Sequence, residues 1–343
     1  MRARPRGRGR AALFVLIVLA CVFALTGYAA LALTRGDNRA SSGARAGDAG
    51  PLTEGRLVFL ATQGDAYRPV ANVDLTSAQG AANVIQLECQ RIHFAAGRGI
   101  CAGRTTLGGA AILDTALRPV RELPMEGVAS RARVSADGRY AAMTAFVRGH
   151  SYADAGFSTQ ATLIDLERGA VIADLEQFTL RGLDGSTLRP IDRNFWGVTF
   201  APDSDRFFAT VGTGGSTYLV EGRISERTVR MLRDNVECPS LSPDGTRLVY
   251  KKRLPGGVPR LVTWRLHVLD LATMSDRALA EARSVDDQVE WVDDRRILYS
   301  LPDEGPPATI RPDLWLLDVD AGAPRQLRTE AMSPAVIRGD VGR

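Results

Sequence analysis

Residues from which catalytic and metal sites are usually built are scarce in this 343-residue sequence. Its three histidines, His93, His150 and His267, lie far apart along the chain. The sequence contains neither a G-x-S-x-G nucleophile elbow nor a D-x-[DN]-x-[DN]-G calcium loop. These absences argue against a hydrolase with a local motif and against a bound metal, so we expect no cofactor.

Excess positive charge is confined to the N-terminus. The formal net charge is +4, from 43 basic and 39 acidic residues. Five of the basic residues are Arg2, Arg4, Arg6, Arg8 and Arg10, and without them the two signs nearly balance. Nucleic-acid binders concentrate positive charge on the folded domain, where phosphates are contacted. We therefore expect no nucleic-acid partner.

One uncharged run, residues 11–33 (AALFVLIVLACVFALTGYAALAL), is long enough to cross a membrane. It predicts a transmembrane anchor or, alternatively, a signal sequence cleaved after Ala32, which would release a secreted protein. The arginines that precede it keep residues 1–10 in the cytoplasm under the positive-inside rule. Residues 34–54, rich in Gly, Ala, Ser and charge, are typical of a flexible linker. We expect the remaining chain to be extracytoplasmic.

From Gly55 onward, an apolar run that ends in an acidic residue recurs six times. The acids are Asp74, Asp114, Asp165, Glu221, Asp270 and Asp318, spaced about 40 to 56 residues apart. That spacing matches, or slightly exceeds, the period of a four-stranded propeller blade. The sequence therefore predicts an all-β fold, a six-bladed β-propeller over residues 55–340.

A second repeat predicts a tight hairpin between the first two strands of a blade. It occurs as VSADGRYAAM, FAPDSDRFFA, LSPDGTRLVY, the shortened WVDDRRILYS and, in blade 2, the degenerate FAAGRGICAG, and the Pro, Asp and Gly residues of these segments suit such turns. The first blade lacks this hairpin, whereas the chain ends in MSPAVIRG, which is similar to the start of the fifth blade. We therefore expect residues 333–337 to supply the first strand of blade 1 and to close the ring.

The segments LSPDGTRLVY and FAPDSDRFFA also resemble the repeats of the TolB-type propeller family. The resemblance covers roughly residues 55–340 and implies a WD-repeat-like six-bladed propeller. The order of span, linker and blades resembles TolB-like translocation proteins of actinobacteria. For function it implies less, because similar repeats occur in periplasmic translocation proteins, in propellers of serine peptidases and in lipoprotein domains.

Long loops are predicted on one face of this propeller, at residues 147–160, 178–194, 251–264 and 302–314. Long loops on a rigid scaffold often carry binding residues, so we place the functional surface at the channel mouth of this face. The candidate ligand-binding residues are Asp286, Asp287, Gln288, Glu290, Glu237, Lys251, Lys252 and His150. Acids and bases in this arrangement suit a polar peptide or sugar; alternatively, they pair with each other or face solvent.

Two of the four cysteines, Cys89 and Cys101, flank the predicted hairpin of blade 2, on strands expected to be antiparallel neighbours. An extracytoplasmic location permits a disulfide between them. Closing this 12-residue loop would stabilise the fold by about 3 kcal/mol in the chain-entropy model. Two buried thiols are the alternative, and Cys238 is expected to be a buried thiol near the channel.

These features predict a non-catalytic binding or scaffold module of the cell envelope. Its expected partner is a protein, a peptide or a cell-wall glycan at the outer membrane surface, and residues 11–33 would contact the cytoplasmic membrane. The alternative is a propeller hydrolase or lyase with a site at the channel mouth. Such an enzyme would bring Glu290, Asp287 and His150 together.

Overall fold

The computed structural model describes residues 51–62, 68–105, 108–147, 158–255, 263–302 and 311–338. The predicted cytoplasmic tail and membrane span, most of the predicted linker, and His150 lie outside these residues. Within the described ranges, no helix is long and apolar enough to cross a membrane.

Six separate sheets form the blades of a β-propeller, as the repeats predicted. Blade 1 contains β1 (Arg56–Ala61), β2 (Arg68–Asp74), β3 (Asn83–Cys89) and β26 (Ala331–Val336). Blade 2 contains β4 (Arg91–Ala95), β5 (Arg98–Thr105), β6 (Gly108–Leu113) and β7 (Pro119–Glu126). Blade 3 contains β8 (Val128–Val134), β9 (Tyr140–Val147), β10 (Ser158–Asp165) and β11 (Ala170–Asp174).

The second half of the ring follows the same plan. Blade 4 contains β14 (Asn194–Phe200), β15 (Arg206–Thr213), β16 (Ser216–Arg223) and β17 (Thr228–Asp234), extended by β12 (Thr179–Arg181) and β13 (Thr187–Leu188). Blade 5 contains β18 (Glu237–Leu241), β19 (Arg247–Arg253), β20 (Trp264–Asp270) and β21 (Asp276–Ala278). Blade 6 contains β22 (Glu290–Trp291), β23 (Arg296–Pro302), β24 (Pro312–Asp318) and β25 (Arg325–Arg328). Short 3-10 turns lie at Leu75–Ser77 and Leu175–Gln177.

The recurring aspartates cap the hairpin turns. In blade 3, Asp137 Oδ1 accepts hydrogen bonds from Arg139 N and Ser135 Oγ. In blade 5, Asp244 Oδ1 accepts the equivalent bonds from Thr246 N and Ser242 Oγ. Because short polar side chains bond their own turn in this way, the repeat is a local folding signal.

The ring closes through the C-terminal strand, as expected from the sequence. Strand β26 pairs antiparallel with β1, and Ile337 exchanges backbone hydrogen bonds with Arg56 and Gly55. The Ser333 hydroxyl bonds to both the N–H and the carbonyl of Ile92 in blade 2. The two ends of the described domain are therefore held in one blade.

Cys89 and Cys101 form a disulfide, with their Cα atoms 5.5 Å apart. Its place in the fold differs from the prediction. Cys89 ends β3 in blade 1, whereas Cys101 lies in β5 of blade 2, because Gln90 alone separates β3 from β4. The bond therefore joins two blades instead of bracing one hairpin.

Candidate functional site

Four inner strands bulge where they line the channel. The extra residues fall at Ser130 in β8, Gly197 in β14, Cys238 in β18 and Ser333 in β26. The last three have positive φ, from 48° to 65°. Glycine is required at 197, since a Cβ there would lie 2.6 Å from the Cys238 Cα. Bulges redirect backbone groups and side chains, and here they leave carbonyls free to accept bonds from channel side chains.

A buried ion cluster lies deep in the channel around Glu290, which is 2% exposed. Its carboxylate accepts hydrogen bonds from Arg133 and Arg338 and lies 3.2 Å from His93 Nε2. His93 Nδ1 accepts the Val134 N–H at 3.0 Å, so the neutral ring carries its proton on Nε2, facing Glu290. The cluster joins blades 2, 3 and 6 to the closing C-terminal segment.

Opposing effects set the protonation of this cluster. Burial alone would raise the pKa of Glu290, but Arg338, His93 and Arg133 hold that pKa well below its usual value. Burial lowers the pKa of His93, and the nearby Glu290 carboxylate only partly opposes that effect. At neutral pH the cluster therefore contains ionised Glu290 and neutral His93.

Asp287 and Gln288 form part of the channel wall beside this cluster. The Asp287 carboxylate accepts the N–H groups of Gln288 and Ser300, each at 2.9 Å. Gln288 Nε2 donates to the bulge carbonyls Val198 O and Pro239 O, at 3.0 and 2.8 Å. Both side chains are more than 90% buried, and their hydrogen bonds connect blades 4, 5 and 6.

A cavity of about 630 Å³ opens at the channel mouth, over blades 3, 4 and 5. Blade 4 leaves this space because β15 and β16 are joined by the tight turn Gly214–Gly215, with φ of 58° and 75°. Two-residue turns of this kind need positive φ at both positions, which glycine supplies. The corresponding connections of blades 3 and 5 are much longer. The cavity lies on the face where the longer connections of blades 3 and 5 are found.

Charged side chains line the inner wall of this mouth cavity. Arg91 Nε and Arg131 Nη1 both donate to Ser130 O, at 2.6 and 2.7 Å. Arg131 Nη2 and Lys251 Nζ both contact Asp286 Oδ1, at 3.3 and 2.5 Å. Burial lowers the pKa of Arg91 to about 10, and the neighbouring Arg131 charge adds to that effect.

Aromatic side chains line the outer part of the same cavity. The Trp196 ring packs on Gly212, where a Cβ would lie 2.8 Å from the indole. Trp264 Nε1 donates to Glu237 Oε1 at 3.2 Å, and Lys251 Nζ lies 4.3 Å from the Trp264 ring centroid. Phe146 contributes an exposed ring. Aromatic surface beside a few fixed polar groups is typical of small-ligand and peptide sites.

The predicted site residues fall into four groups. Glu237, Lys251 and Asp286 line the mouth cavity. Asp287, Gln288 and Glu290 belong to the channel wall and the deep cluster. Lys252 lies on the other side of β19, where its Nζ donates to Asp276 at 3.0 Å, because side chains alternate along a strand. His150 is not among the described residues.

No family model and no curated protein matches this sequence. The fold is similar to the crystal structure of TolB from Acinetobacter baumannii, with 16% identity and a TM-score of 0.56 over 85% of this chain and 68% of that one. A putative TolB from Agrobacterium tumefaciens matches with 10% identity and a TM-score of 0.53, over 82% of this chain and 92% of that one. In fold, the chain is a TolB-like propeller.

A chain in the crystal structure of a nidogen–laminin complex also resembles this TolB-like propeller. It shows 10% identity and a TM-score of 0.53, over 82% of this chain and 97% of that one. At such low identities the likeness concerns the fold alone, and function has to be argued from the site.

Sequence reasoning missed several residues of the TolB-like propeller's mouth cavity: Arg91, Arg131, Trp196 and Phe146. A signal for the two arginines was present. The segments RIHF and RARV both precede a hairpin turn, and they place Arg91 and Arg131 at matching positions of blades 2 and 3. Aligning the first strands of the repeats, and not only their turns, would have placed both arginines at the channel.

Proposed function

We propose that this TolB-like propeller is a non-catalytic binding module of the cell envelope that docks a protein partner on its long-loop face. The mouth cavity is the main support for this proposal, because it combines aromatic surface with charged groups at the channel mouth. Clusters of this composition are typical of the energetically dominant centre of a protein interface. Residues 11–33 would tether the module to the membrane, with the propeller outside.

Exposed apolar side chains on the same face support docking. Among the described residues, Val128, Phe146 and Leu254 are exposed apolar side chains at the strand ends of this face, and Leu183 and Ile191 lie in the connection between blades 3 and 4. Val120, Val171 and Met274 lie toward the opposite face. Apolar surface concentrated around a polar cavity favours a macromolecular partner.

The alternative hydrolase or lyase gains no specific support from the described residues. Glu290 is held by two arginines and His93, and its pKa is lowered, which is unsuited to a general acid. Asp287 uses both carboxylate oxygens to accept backbone N–H groups. Both acids therefore have structural partners.

Site-specific photo-cross-linking in intact cells tests the docking face. A benzoylphenylalanine residue placed at Phe146 or Leu254 reports on the mouth, and the same residue at Val120 or Val171 is the matched control. We expect one discrete adduct from the mouth positions and none from the controls. Adducts from the controls alone, or equally from all four positions, would contradict docking at the mouth.

A further inference from the structure

Two arginines at the channel mouth donate hydrogen bonds to the same backbone carbonyl. The guanidinium groups of Arg91 and Arg131 both donate to the carbonyl of Ser130, which the β8 bulge places between them. Two like charges around one neutral oxygen repel each other: burial lowers the pKa of Arg91 most, and the Arg131 charge lowers that pKa further. An anion at this position would relieve the repulsion and complete the hydrogen bonding.

The acids of the cavity leave Arg91 under-neutralised, whereas Asp287 and Asp286 lie close enough to Arg131 to help raise its pKa. Asp286 is shared between Arg131 and Lys251, and its side chain is 61% exposed. Glu237 is bonded to Arg253 and Trp264, and Asp192 to Thr213 Oγ1 and Gly214 N. Asp287, which attracts both arginines at longer range, bonds to backbone N–H groups.

Free donors remain on the arginine pair. Across the described parts of the chain, Arg91 forms no ion pair, and the buried Nε of Arg131 has no hydrogen-bond partner. Guanidinium groups bind carboxylates through paired N–H donors, and this is stronger than binding between neutral groups. The position is therefore suited to a carboxylate.

The side chains around Arg91 and Arg131 indicate what kind of ligand would carry the carboxylate. Trp196, fixed by its contact with Gly212, and Trp264 line the same cavity, whose volume of about 630 Å³ holds a short peptide segment. We infer that the mouth cavity recognises an acidic peptide segment, with a carboxylate at Arg91 and Arg131 and an adjacent apolar side chain against Trp196. This inference rests on the proposed docking function and specifies the chemistry of the partner.

The test uses purified full-length protein and an array of synthetic decapeptides. Each peptide position is varied through all amino acids, and every peptide is made with a free and with an amidated C-terminus. We expect retained peptides to carry Asp, Glu or a free C-terminus next to an aromatic or aliphatic residue. The two peptide series distinguish a side-chain carboxylate from a terminal one.

Variants of Arg91 and Arg131 test whether these arginines cause the preference for acidic peptides. Arg91→Gln and Arg131→Gln should each weaken binding of the best peptide by about tenfold or more, because a charged hydrogen-bonding partner is lost. Arg131→Lys should have a smaller effect, since it keeps the charge but loses the paired donors. Lys252→Gln, outside the cavity, is the matched control and should bind as the wild type does. Unfolding curves for each variant separate lost binding from lost folding.

The outcomes distinguish this inference from the proposed function. Peptide binding without an acidic preference, or with unchanged affinity in folded arginine variants, would overturn the carboxylate site and leave docking at the mouth standing. Selective binding of acidic peptides, together with photo-adducts only from Val120 and Val171, would support the carboxylate site and overturn docking on this face. No peptide binding alongside adducts at Phe146 and Leu254 would overturn the acidic-peptide inference alone.

Discussion

The deep cluster and the mouth cavity are built from the same residue types but differ in how exposed their carboxylates are, with Glu290 buried and Asp286 largely exposed. Around Glu290, two arginines and His93 face one buried carboxylate, and Arg338 comes from the closing segment of the chain. Around Asp286, the carboxylate is 61% exposed, and the Nε of Arg131 has no hydrogen-bond partner among the described residues. We therefore expect that breaking the first group destabilises the ring, and the exposed carboxylate supports the proposal that the second group contacts a partner.

The strongest test of this difference removes the carboxylate of the deep cluster. Glu290→Ala should destabilise the domain by about 3–5 kcal/mol, because it leaves the buried Arg133 and the partly buried Arg338 without their anion. Urea unfolding followed by circular dichroism measures this loss. Asp286→Ala, at a carboxylate that is 61% exposed, is the comparison variant and should cost clearly less, although it removes the hydrogen-bonded anion of the buried Lys251. Equal losses in the two variants would contradict the comparison.

The disulfide between blades 1 and 2 provides a second stabilising link. Replacing both Cys89 and Cys101 by serine should lower the free energy of unfolding by about 3 kcal/mol, as expected for a 12-residue closure. Photo-cross-linking from Leu254 should be unchanged in the folded protein, since the bond joins blades 1 and 2. Loss of the adduct in a folded variant would show that the link shapes the binding face.

Adding a single methyl group at Gly212 tests the role of Trp196 in the mouth cavity. Gly212→Ala places a Cβ 2.8 Å from the Trp196 ring, while the backbone at 212 needs no positive φ. We expect the ring to move, the adduct yield from Leu254 to fall several-fold, and stability to change by less than about 1.5 kcal/mol. Gly322→Ala, in a distant turn with open space around the Cβ, controls for substitution of a glycine, although its positive φ adds some strain. An unchanged adduct yield in Gly212→Ala would argue against a role for Trp196.

The smallest predicted effect is the pH dependence due to His93. Its pKa is lowered in the folded state, so the unfolded chain binds a proton more readily as pH falls below the usual value of 6.5. Stability should therefore decline below pH 6.5, by at most about 1.4 kcal/mol per pH unit for one proton. His93→Gln should flatten the decline above the range where carboxylates titrate. Unfolding free energies measured from pH 5 to pH 8 check this, and an unchanged slope would contradict the assignment.

The fold could be predicted from the sequence because its signals are local. Turn aspartates such as Asp137 and Asp244 recur at blade spacing, and the unpaired first blade pointed to the C-terminal strand. The position of Cys89 was wrong because Gln90 alone separates two blades, which leaves no turn signal between them.

The site was harder to predict than the fold, because side-chain direction depends on register. Lys251 and Lys252 are adjacent in β19, yet one faces the mouth and the other Asp276, and their order could not be derived without knowing the strand's register. The bulges at Ser130 and Cys238 also shift the register of β8 and β18, the inner strands of blades 3 and 5. Arg131 reaches the mouth cavity from such a bulge, so a pattern of alternation alone would not have placed it.

One measurement addresses the division of roles between mouth and cluster most directly: photo-cross-linking from Leu254 in Arg131→Gln and in Glu290→Gln, with unfolding curves for both. We predict that Arg131→Gln loses most of the adduct while remaining folded. We predict that Glu290→Gln unfolds more readily but keeps the adduct under conditions where it is folded. The reverse pattern, with the adduct lost in folded Glu290→Gln and retained in Arg131→Gln, would contradict the account.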